Sequence, residues 1–175
     1  RTFTLTIYVV AHLNALPPRL LCSDAVGVSY VTFHALSLLF LRRYADVLGY
    51  PRSFQVIDSD DQKALVKRLL KARNIATDRL HPSYLTGWIE HCKHAGLTPA
   101  QAPEHDWNGI DMRELYGEYQ SQLQQHERMD FSDLILNVVL LMREHKDIAE
   151  ARRRRFDHVL VAEFWATNPV RLTAV

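Results

Sequence analysis

The feature that most constrains the fold is the stretch at residues 159–168, Val-Leu-Val-Ala-Glu-Phe-Trp-Ala-Thr-Asn. It begins with three consecutive apolar residues, two of them β-branched, and Glu163 follows shortly after them. This pattern is typical of a buried parallel strand whose carboxyl end delivers a side chain to a site. In open α/β sheets, ligands bind in the crevice outside those carboxyl ends. The stretch therefore predicts a strand of an α/β protein with Glu163 at a functional edge.

The beginning of the chain also predicts strands. Residues 2–10 and residues 26–33 are rich in β-branched and aromatic side chains, as strands commonly are. Residues 35–48 then carry apolar side chains at helical spacing. Gly49 and Pro51 follow them, and this order of Gly and Pro is typical of the end of a helix.

The middle of the chain predicts a series of helices, each with a polar or proline residue at its start. Helix starts are predicted at Ser59, Pro82, Thr98, Asp111, Asp130 and Asp147. Ser59 and Thr98 are each followed three residues later by a glutamine, which indicates a capping box. Apolar residues recur at three- and four-residue intervals within these segments, so each helix is predicted to have one buried face.

The predicted order is two strands, a block of about six helices, and one buried strand. A helical block between strands of one sheet is typical of an insertion within an α/β domain. We therefore predict a mainly α protein with a small, mostly parallel β-sheet. The expected divisions are residues 1–34 with the first strands, residues 35–155 with the helical block, and residues 156–175 with the last strand.

Composition narrows the class of protein. The 175 residues are 47% hydrophobic and 23% charged, as in soluble globular domains with one sizeable core. No apolar run reaches the ~18 residues of a membrane span, so we expect no membrane partner. Cys22 and Cys92 make no disulfide framework, and there is no secretory signal, which favours a cytoplasmic location. The absence of an initiator Met indicates a chain processed or trimmed from something longer.

Residues 159–168 resemble the Walker B motif of the UvrD/Rep/PcrA helicases of superfamily 1, whose usual form is Asp-Glu-Phe-Gln-Asp-Thr-Asn. Ala162 stands where that family has its magnesium-binding Asp, and Glu163 keeps the place of the acid that activates water. Trp165 and Ala166 replace a Gln and a second Asp. The resemblance therefore makes Glu163 the candidate catalytic residue.

Further stretches resemble the same family in its order and at its spacing. Residues 2–4, Thr-Phe-Thr, resemble the start of its second motif, although the match ends there. Residues 31–36, Val-Thr-Phe-His-Ala-Leu, resemble Gly-Thr-Phe-His-Ser-Leu, and residues 54–62 resemble the entry into its inserted domain. Residues 130–134, Asp-Phe-Ser-Asp-Leu, resemble Asp-Phe-Asp-Asp-Leu. Lys93 and residues 96–99, Gly-Leu-Thr-Pro, fit a further family loop.

The resemblance implies part of an ATP-dependent DNA helicase that acts in DNA repair or replication. Residues 1–34 would be partial RecA-like motor strands, and residues 156–175 a motor strand with a degenerate Walker B motif. Residues 35–155 would be the helical insertion domain, which guides duplex DNA toward the strand-separating site. The implied partners are single-stranded and duplex DNA, bound weakly and without sequence preference, together with the rest of the motor.

The resemblance also suggests which side chains contact DNA, since aromatic rings stack on bases and cations attract phosphates. The candidates are Thr2, Phe3, Thr32, Phe33, His34, Lys93, Gly96, Leu97 and Thr98. Arg154, in the basic run at residues 152–155, is a separate candidate for phosphate contact. The alternatives are core strand positions for the two phenylalanines, a helix cap for His34, and a solvated helix end for the basic run.

Two departures from the family pattern argue against catalysis by this chain alone. No Gly-x-x-x-x-Gly-Lys-Thr occurs, so we expect no phosphate-cradling loop. Phosphoryl transfer depends on metal and cations for positioning and charge stabilisation, which Glu163 beside Ala162 does not supply. We therefore expect no cofactor in this chain, whereas the resemblance implies ATP and Mg²⁺ as cofactors of the intact family members. These two departures indicate either a degenerated gene or a fragment with altered ends. The alternative function is a non-catalytic structural or protein-interaction domain derived from a helicase.

The histidines and cysteine near the middle of the chain do not predict a metal site. His91 and His94 share a helix face, with Cys92 between them and His81 ten residues before His91. Zinc sites usually have paired ligands at both ends of a loop, and the second pair is missing. The acids at residues 58–61 are explained by capping and by the helix dipole rather than by catalysis.

Overall fold

The computed structural model describes residues 6–10, 28–153 and 158–161, with side chains over residues 32–150. The helices are α1 (Phe33–Tyr44), α2 (Ser59–Ala72), α3 (Pro82–His94), α4 (Met112–Gln125), α5 (Phe131–Glu144) and α6 (Lys146–Arg153). The strands are β1 (Thr6–Val10), β2 (Val28–Thr32), β3 (Gln55–Val56), β4 (Arg128–Met129) and β5 (His158–Val161). The predicted mainly helical fold is confirmed.

The first two strands and the last strand form one parallel sheet in the order β2-β1-β5. Val10 pairs with Thr32, and Val9 pairs with Val161, so β2 and β5 both end at the same edge of the sheet. The predicted small parallel sheet is therefore confirmed. In chain order the helices α1 to α6 lie between β2 and β5, and α1 begins directly at the carboxyl edge of β2.

A second sheet of two short parallel strands was not predicted from the sequence. Gln55 in β3 pairs with Arg128 in β4, and the ladder is extended by the Ile57 amide, which donates to the Met129 carbonyl at 2.9 Å. Strands of two residues are too short to produce an alternating pattern. This pairing holds the entry to α2 beside the entry to α5.

The described side chains pack into two apolar cores. Helices α1 and α5 form the α1–α5 core, which includes Phe33, Leu36, Leu41, Tyr50, Phe54, Leu134, Val138 and Leu141. Helices α2, α3 and α4 form the second core, which includes Leu65, Leu69, Leu85, Ile89, Leu115, Tyr116, Tyr119 and Leu123. Burial of each large apolar side chain contributes roughly 1.5–3 kcal/mol relative to exposure. The contact between α3 and α5 joins the two cores.

Aspartates cap three of the helices. Asp111 accepts hydrogen bonds from two first-turn amides of α4, and Asp130 and Asp133 form a reciprocal capping box at the predicted start of α5. The capping box predicted at Ser59 is wrong, because Asp58 takes the cap position. Its carboxylate accepts from the amides of Asp60 and Asp61, both at 2.9 Å. Asp is among the strongest N-cap residues, so helix α2 starts after it.

The helix predicted from Thr98 is absent, and residues 98–101 form a turn. The Gln101 side chain does accept from the Thr98 amide at 3.2 Å, which is half of the predicted capping box. Pro103 follows two residues later, and the residue before a proline is disfavoured in the helical conformation. The local capping signal is therefore correct, but the chain cannot continue it into a helix.

The boundary between β2 and α1 also differs from the prediction. Phe33 was expected to end the strand, yet it is the first residue of α1. Thr32 is the cap, and its hydroxyl oxygen accepts from the Ala35 amide at 3.1 Å. Helix α1 ends at Tyr44 and continues as a 3₁₀ turn at Ala45–Leu48. Gly49 then adopts a left-handed conformation with φ of 77°, so the predicted glycine end is confirmed.

Candidate nucleic-acid interface

His34 and Phe131 form an aromatic pair at the start of two neighbouring helices. Their ring centroids are 5.9 Å apart with an interplanar angle of 85°, an edge-to-face contact. His34 lies in the first turn of α1, just after the carboxyl end of β2, and Phe131 is the first residue of α5. The Phe131 side chain is 52% exposed, although it is large and apolar. The pair therefore presents an aromatic surface at the carboxyl edge of the sheet.

Phe33, the residue before His34, points into the protein rather than toward solvent. It is 3% exposed and belongs to the α1–α5 core. This burial corrects the expectation that its ring stacks on bases, because a ring enclosed by core side chains cannot receive a base without opening the core. The alternative interpretation, a core residue, matches its position.

Lys93 is buried, which corrects the expectation that it contacts a phosphate of duplex DNA. Its ammonium lies 2.6 Å from Asp130 and 2.7 Å from Asp133, and the lysine side chain is 0% exposed. A phosphate outside the protein cannot reach this ammonium. The lysine instead joins the end of α3 to the capping box at the start of α5.

The buried cluster around Lys93 includes groups from α4 as well. The Tyr119 hydroxyl donates to Asp130 at 2.8 Å, and the Gln120 amide donates to Asp133 at 3.1 Å. The Lys93 ammonium also lies 5.0 Å from the centroid of the Tyr119 ring, within cation–π range. One lysine therefore faces two carboxylates in an interior with few other charges.

This imbalance shifts the pKa values of the cluster. Burial, reinforced by the charge of Asp130, raises the pKa of Asp133 to about 6. Burial opposes ionisation of Asp130 as well, but the ammonium of Lys93 and its hydrogen bond lower the pKa of that carboxyl below its ordinary value. The two carboxylates raise the pKa of Lys93 despite its burial. The stable state at neutral pH is therefore a charged lysine bound to an ionised Asp130.

The turn at residues 96–98 ends α3 with a left-handed glycine. Gly96 has φ of 76°, its amide donates to the Lys93 carbonyl at 2.9 Å, and the Leu97 amide donates to the Cys92 carbonyl at 3.0 Å. These two bonds define a Schellman motif. The Tyr116 hydroxyl donates to the Leu97 carbonyl at 3.1 Å. Leu97 and Thr98 are half-buried, so the turn is a rigid part of the surface.

The end of α3 and the His34–Phe131 pair are neighbours through the start of α5. The Ser132 hydroxyl lies 3.4 Å from Nε2 of His94, one residue after the exposed Phe131. The structure therefore brings together two regions that the sequence predicts as DNA contacts, the start of α1 and the end of α3. The residue that connects them, Phe131, was missed because its spacing from Leu134 and Ile135 places it on the apolar face of α5.

Four of the predicted site residues lie outside the part of the chain that the structure describes with side chains: Thr2, Phe3, Arg154 and Glu163. Among the described residues, no group of three or more His, Cys, Asp or Glu side chains is arranged to hold a metal ion. No described helix is long and apolar enough to cross a membrane.

A parallel sheet interrupted in chain order by a helical block is an α/β arrangement, and such sheets bind their ligands outside the carboxyl ends of the strands. The family defined by the UvrD/REP helicase N-terminal domain matches residues 11–175. The chain belongs to this family.

Curated relatives support the same assignment. The ATP-dependent DNA helicase PcrA of Staphylococcus epidermidis is 32% identical over 174 residues, which cover 98% of this chain and 24% of that protein. The ATP-dependent DNA helicase PcrA of Staphylococcus aureus is 34% identical over 159 residues, which cover 90% of this chain and 22% of that protein. The chain thus spans about a quarter of the length of these relatives.

Proposed function

We propose that this chain is the DNA-contacting part of a UvrD/Rep-like ATP-dependent DNA helicase. Residues 35–155 would form the helical insertion domain, and residues 1–34 and 156–175 would supply strands of the RecA-like motor around it. The order of strands and helices supports this division, because α1 to α6 lie between strands that pair in one sheet. Membership of the UvrD/REP family and the similarity to PcrA support DNA as the partner.

The His34–Phe131 pair, in which the Phe131 side chain is exposed, is the observation that carries this proposal. An aromatic ring that is 52% exposed costs hydration free energy in the isolated chain, and stacking on a base would remove that apolar area from water. Base stacking is indifferent to sequence because every base has a π face. The pair also lies outside the carboxyl end of β2, where open α/β sheets bind their ligands.

In this proposal Lys93 positions the DNA-contacting surface and does not contact DNA. Its ion pairs with Asp130 and Asp133 fix the first turn of α5, which begins at Phe131. The proposed contact with the duplex backbone then rests on the turn at residues 96–98 and on the neighbouring His94, which lie on the surface of the same helix end.

The proposed DNA binding is weak and dominated by phosphate charge and stacking. Fluorescence anisotropy with a duplex that carries a single-stranded tail, titrated at several salt concentrations, tests it. We expect dissociation constants of ~10⁻⁴–10⁻⁶ M near physiological salt and an affinity that falls as salt rises. Absence of binding at low salt would reject the proposal.

We further propose that the chain alone does not hydrolyse ATP. Ala162 in place of the metal-binding Asp, together with the lack of a phosphate-cradling loop, leaves Glu163 without the metal and cations that phosphoryl transfer requires. The assay compares magnesium- and DNA-stimulated turnover of the chain with that of Glu163→Gln. Equal background rates are expected, and turnover above the variant would contradict this part of the proposal.

One specific observation favours the alternative, a protein-interaction domain. Tyr84, Trp88, His105 and Trp107 form a surface aromatic cluster, in which the rings of Tyr84 and Trp107 lie 4.2 Å apart and those of Trp88 and His105 are stacked. Tyr84 is 38% exposed. Exposed Tyr and Trp clusters are common at protein interfaces. A chain that captures a protein through Tyr84 and shows no salt-dependent DNA binding would favour this alternative.

A further inference from the structure

A pocket of about 250 Å³ lies between α2, α4 and β4, apart from the His34–Phe131 pair. Arg68 from α2, Arg128 from β4 and His126 from the end of α4 line its wall, and Leu65 and Leu123 contribute apolar lining. His126 and Arg128 flank one tight turn, and the fold brings Arg68 of α2 beside them.

The pocket has an excess of positive charge. Asp61 is the only acid among its described lining residues, against the guanidinium groups of Arg68 and Arg128. Within the part of the chain that has described side chains, neither of these arginines has a carboxylate at ion-pair distance. Arg73, by contrast, is paired with both Glu114 and Glu118. The two arginines of the pocket therefore keep their hydrogen-bond donors available.

The backbone holds His126 and Arg128 in place. Nδ1 of His126 lies 2.8 Å from the Gln122 carbonyl oxygen, which can only accept, so Nδ1 carries a hydrogen, and Nε2 donates to a phosphate oxygen only when the ring carries both of its hydrogens. Glu127 adopts a left-handed φ of 54°, and Arg128 then pairs with Gln55 in the second sheet. Both pocket residues are thus fixed by main-chain bonds on either side of one tight turn.

We propose that this pocket binds a phosphate group through Arg68, Arg128 and His126. A guanidinium presents a planar fork of N–H donors that matches phosphate oxygens in two-bonded geometry. The volume of about 250 Å³ is below the ~300–1,000 Å³ typical of sites for drug-sized ligands, and it suits a phosphate with at most an attached sugar. The phosphate is either that of a nucleic-acid backbone or a free phosphate ion.

Nuclear magnetic resonance titration of the ¹⁵N-labelled chain with inorganic phosphate, at constant ionic strength, tests the proposal. We expect saturable shifts centred on Arg68, His126 and Arg128. Arg68→Gln and Arg128→Gln should each weaken binding about tenfold, because each loses a charge-assisted hydrogen bond. Lys67→Gln is the matched control, since it removes the same charge from an exposed position one residue away on α2 and outside the pocket lining.

The control defines what overturns the proposal. Absence of a saturable shift, or equal weakening by Lys67→Gln and Arg68→Gln, would mean that phosphate responds only to net charge. The resonances of the second core in each variant report whether the fold is retained. Because Arg68 is exposed and Arg128 contributes its backbone rather than its guanidinium to the sheet, both variants are expected to fold.

A second titration, with duplex DNA, distinguishes the two sources of phosphate. If the pocket takes a backbone phosphate, which depends on the proposed DNA-binding function, each Gln variant should lower the slope of log affinity against log salt by about one. If the variants lose phosphate but keep the wild-type DNA affinity, the ligand is a free phosphate. Failure of all DNA binding with phosphate binding intact would reject the proposed function and leave the pocket assignment standing.

Discussion

The ammonium of Lys93 lies 2.6 Å from a carboxylate oxygen of Asp130, with both side chains almost completely buried. The two residues are 37 positions apart in the chain, and they join the end of α3 to the start of α5. Because α3 belongs to the second core and α5 to the α1–α5 core, this ion pair connects the two halves of the helical block. It also holds the turn from which Phe131 projects.

Replacing Lys93 with methionine should destabilise the chain severely. Removal of one partner of a buried ion pair leaves an uncompensated buried charge, which typically costs ~3–5 kcal/mol. Here two carboxylates, Asp130 and Asp133, would lose their cation. Equilibrium unfolding in urea, followed by circular dichroism, measures the effect. Lys67→Met, at an exposed position, serves as the control, and a loss below about 1 kcal/mol for Lys93→Met would contradict the buried pair.

The raised pKa of Asp133 predicts a specific dependence of stability on pH. Its pKa is about 6 in the folded chain against an ordinary value of 3.8, so between these pH values the folded state binds more protons than the unfolded state. Stability contributed by this carboxyl is present below the unfolded pKa and is lost as pH rises through about 6.

The comparison that isolates this effect is wild type against Asp133→Asn, which cannot ionise at that position. Between pH 4 and 6, the free energy of unfolding of the wild type should fall relative to that of the variant. Urea unfolding at half-unit pH steps gives both curves. A difference that stays flat, or one in which the wild type gains stability as pH rises, would show that Asp133 is already ionised in acid.

The sequence predicts helix ends better than it predicts contacts between residues far apart in the chain. The helix start at Asp130 and the glycine end at Gly49 were predictable because capping depends on neighbours in sequence. The strand pair β3–β4 was not, because each strand has only two residues. Asp58 is among the acids that the sequence assigns to capping, but Ser59 with Gln62 matches the capping-box pattern equally well, so the sequence does not single out Asp58 as the cap.

In the candidate site, too, the sequence located local features and missed contacts between residues far apart in the chain. Lys93 was interpreted as a surface lysine because its two carboxylate partners, Asp130 and Asp133, are far from it in sequence. Phe131 was placed on a buried face because periodicity alone cannot tell which end of an apolar stripe extends past the core. The resemblance of residues 31–36 to a family motif did locate His34, and only the packing of α1 against α5 placed Phe131 beside it.

Gly87, inside α3, and Gly96, just after its end, should respond in opposite directions to replacement by alanine. Gly96 has φ of 76°, a conformation that a residue with a Cβ rarely adopts, so Gly96→Ala should destabilise by about 1 kcal/mol. Gly87 lies inside the helix with nothing within 4 Å of an added Cβ, so Gly87→Ala should stabilise by ~0.5–1 kcal/mol. Thermal melting of both variants checks the pair, and a stabilising Gly96→Ala would contradict the left-handed turn.

The start of α2 allows a direct test of which residue caps it. Asp58→Ala removes the acceptor of two first-turn amides and should cost about 1 kcal/mol. Ser59→Ala, at the first helical position, should change stability by less than about 0.5 kcal/mol. Urea unfolding of the two variants side by side decides between them. A larger loss for Ser59→Ala would restore the capping box predicted from the sequence.

The central claim is that the surface formed by the His34–Phe131 pair binds DNA by stacking on its bases. Comparing Phe131→Ala with Tyr84→Ala tests this claim most directly. Both replace an exposed aromatic side chain, 52% and 38% exposed respectively, on different surfaces of the chain. Anisotropy with a tailed duplex at low salt gives the two affinities. Loss of one stacked base, ~1–3 kcal/mol, should weaken binding about five- to a hundredfold for Phe131→Ala. Tyr84→Ala should bind as the wild type does. Wild-type affinity in Phe131→Ala, with a loss in Tyr84→Ala, would contradict the account.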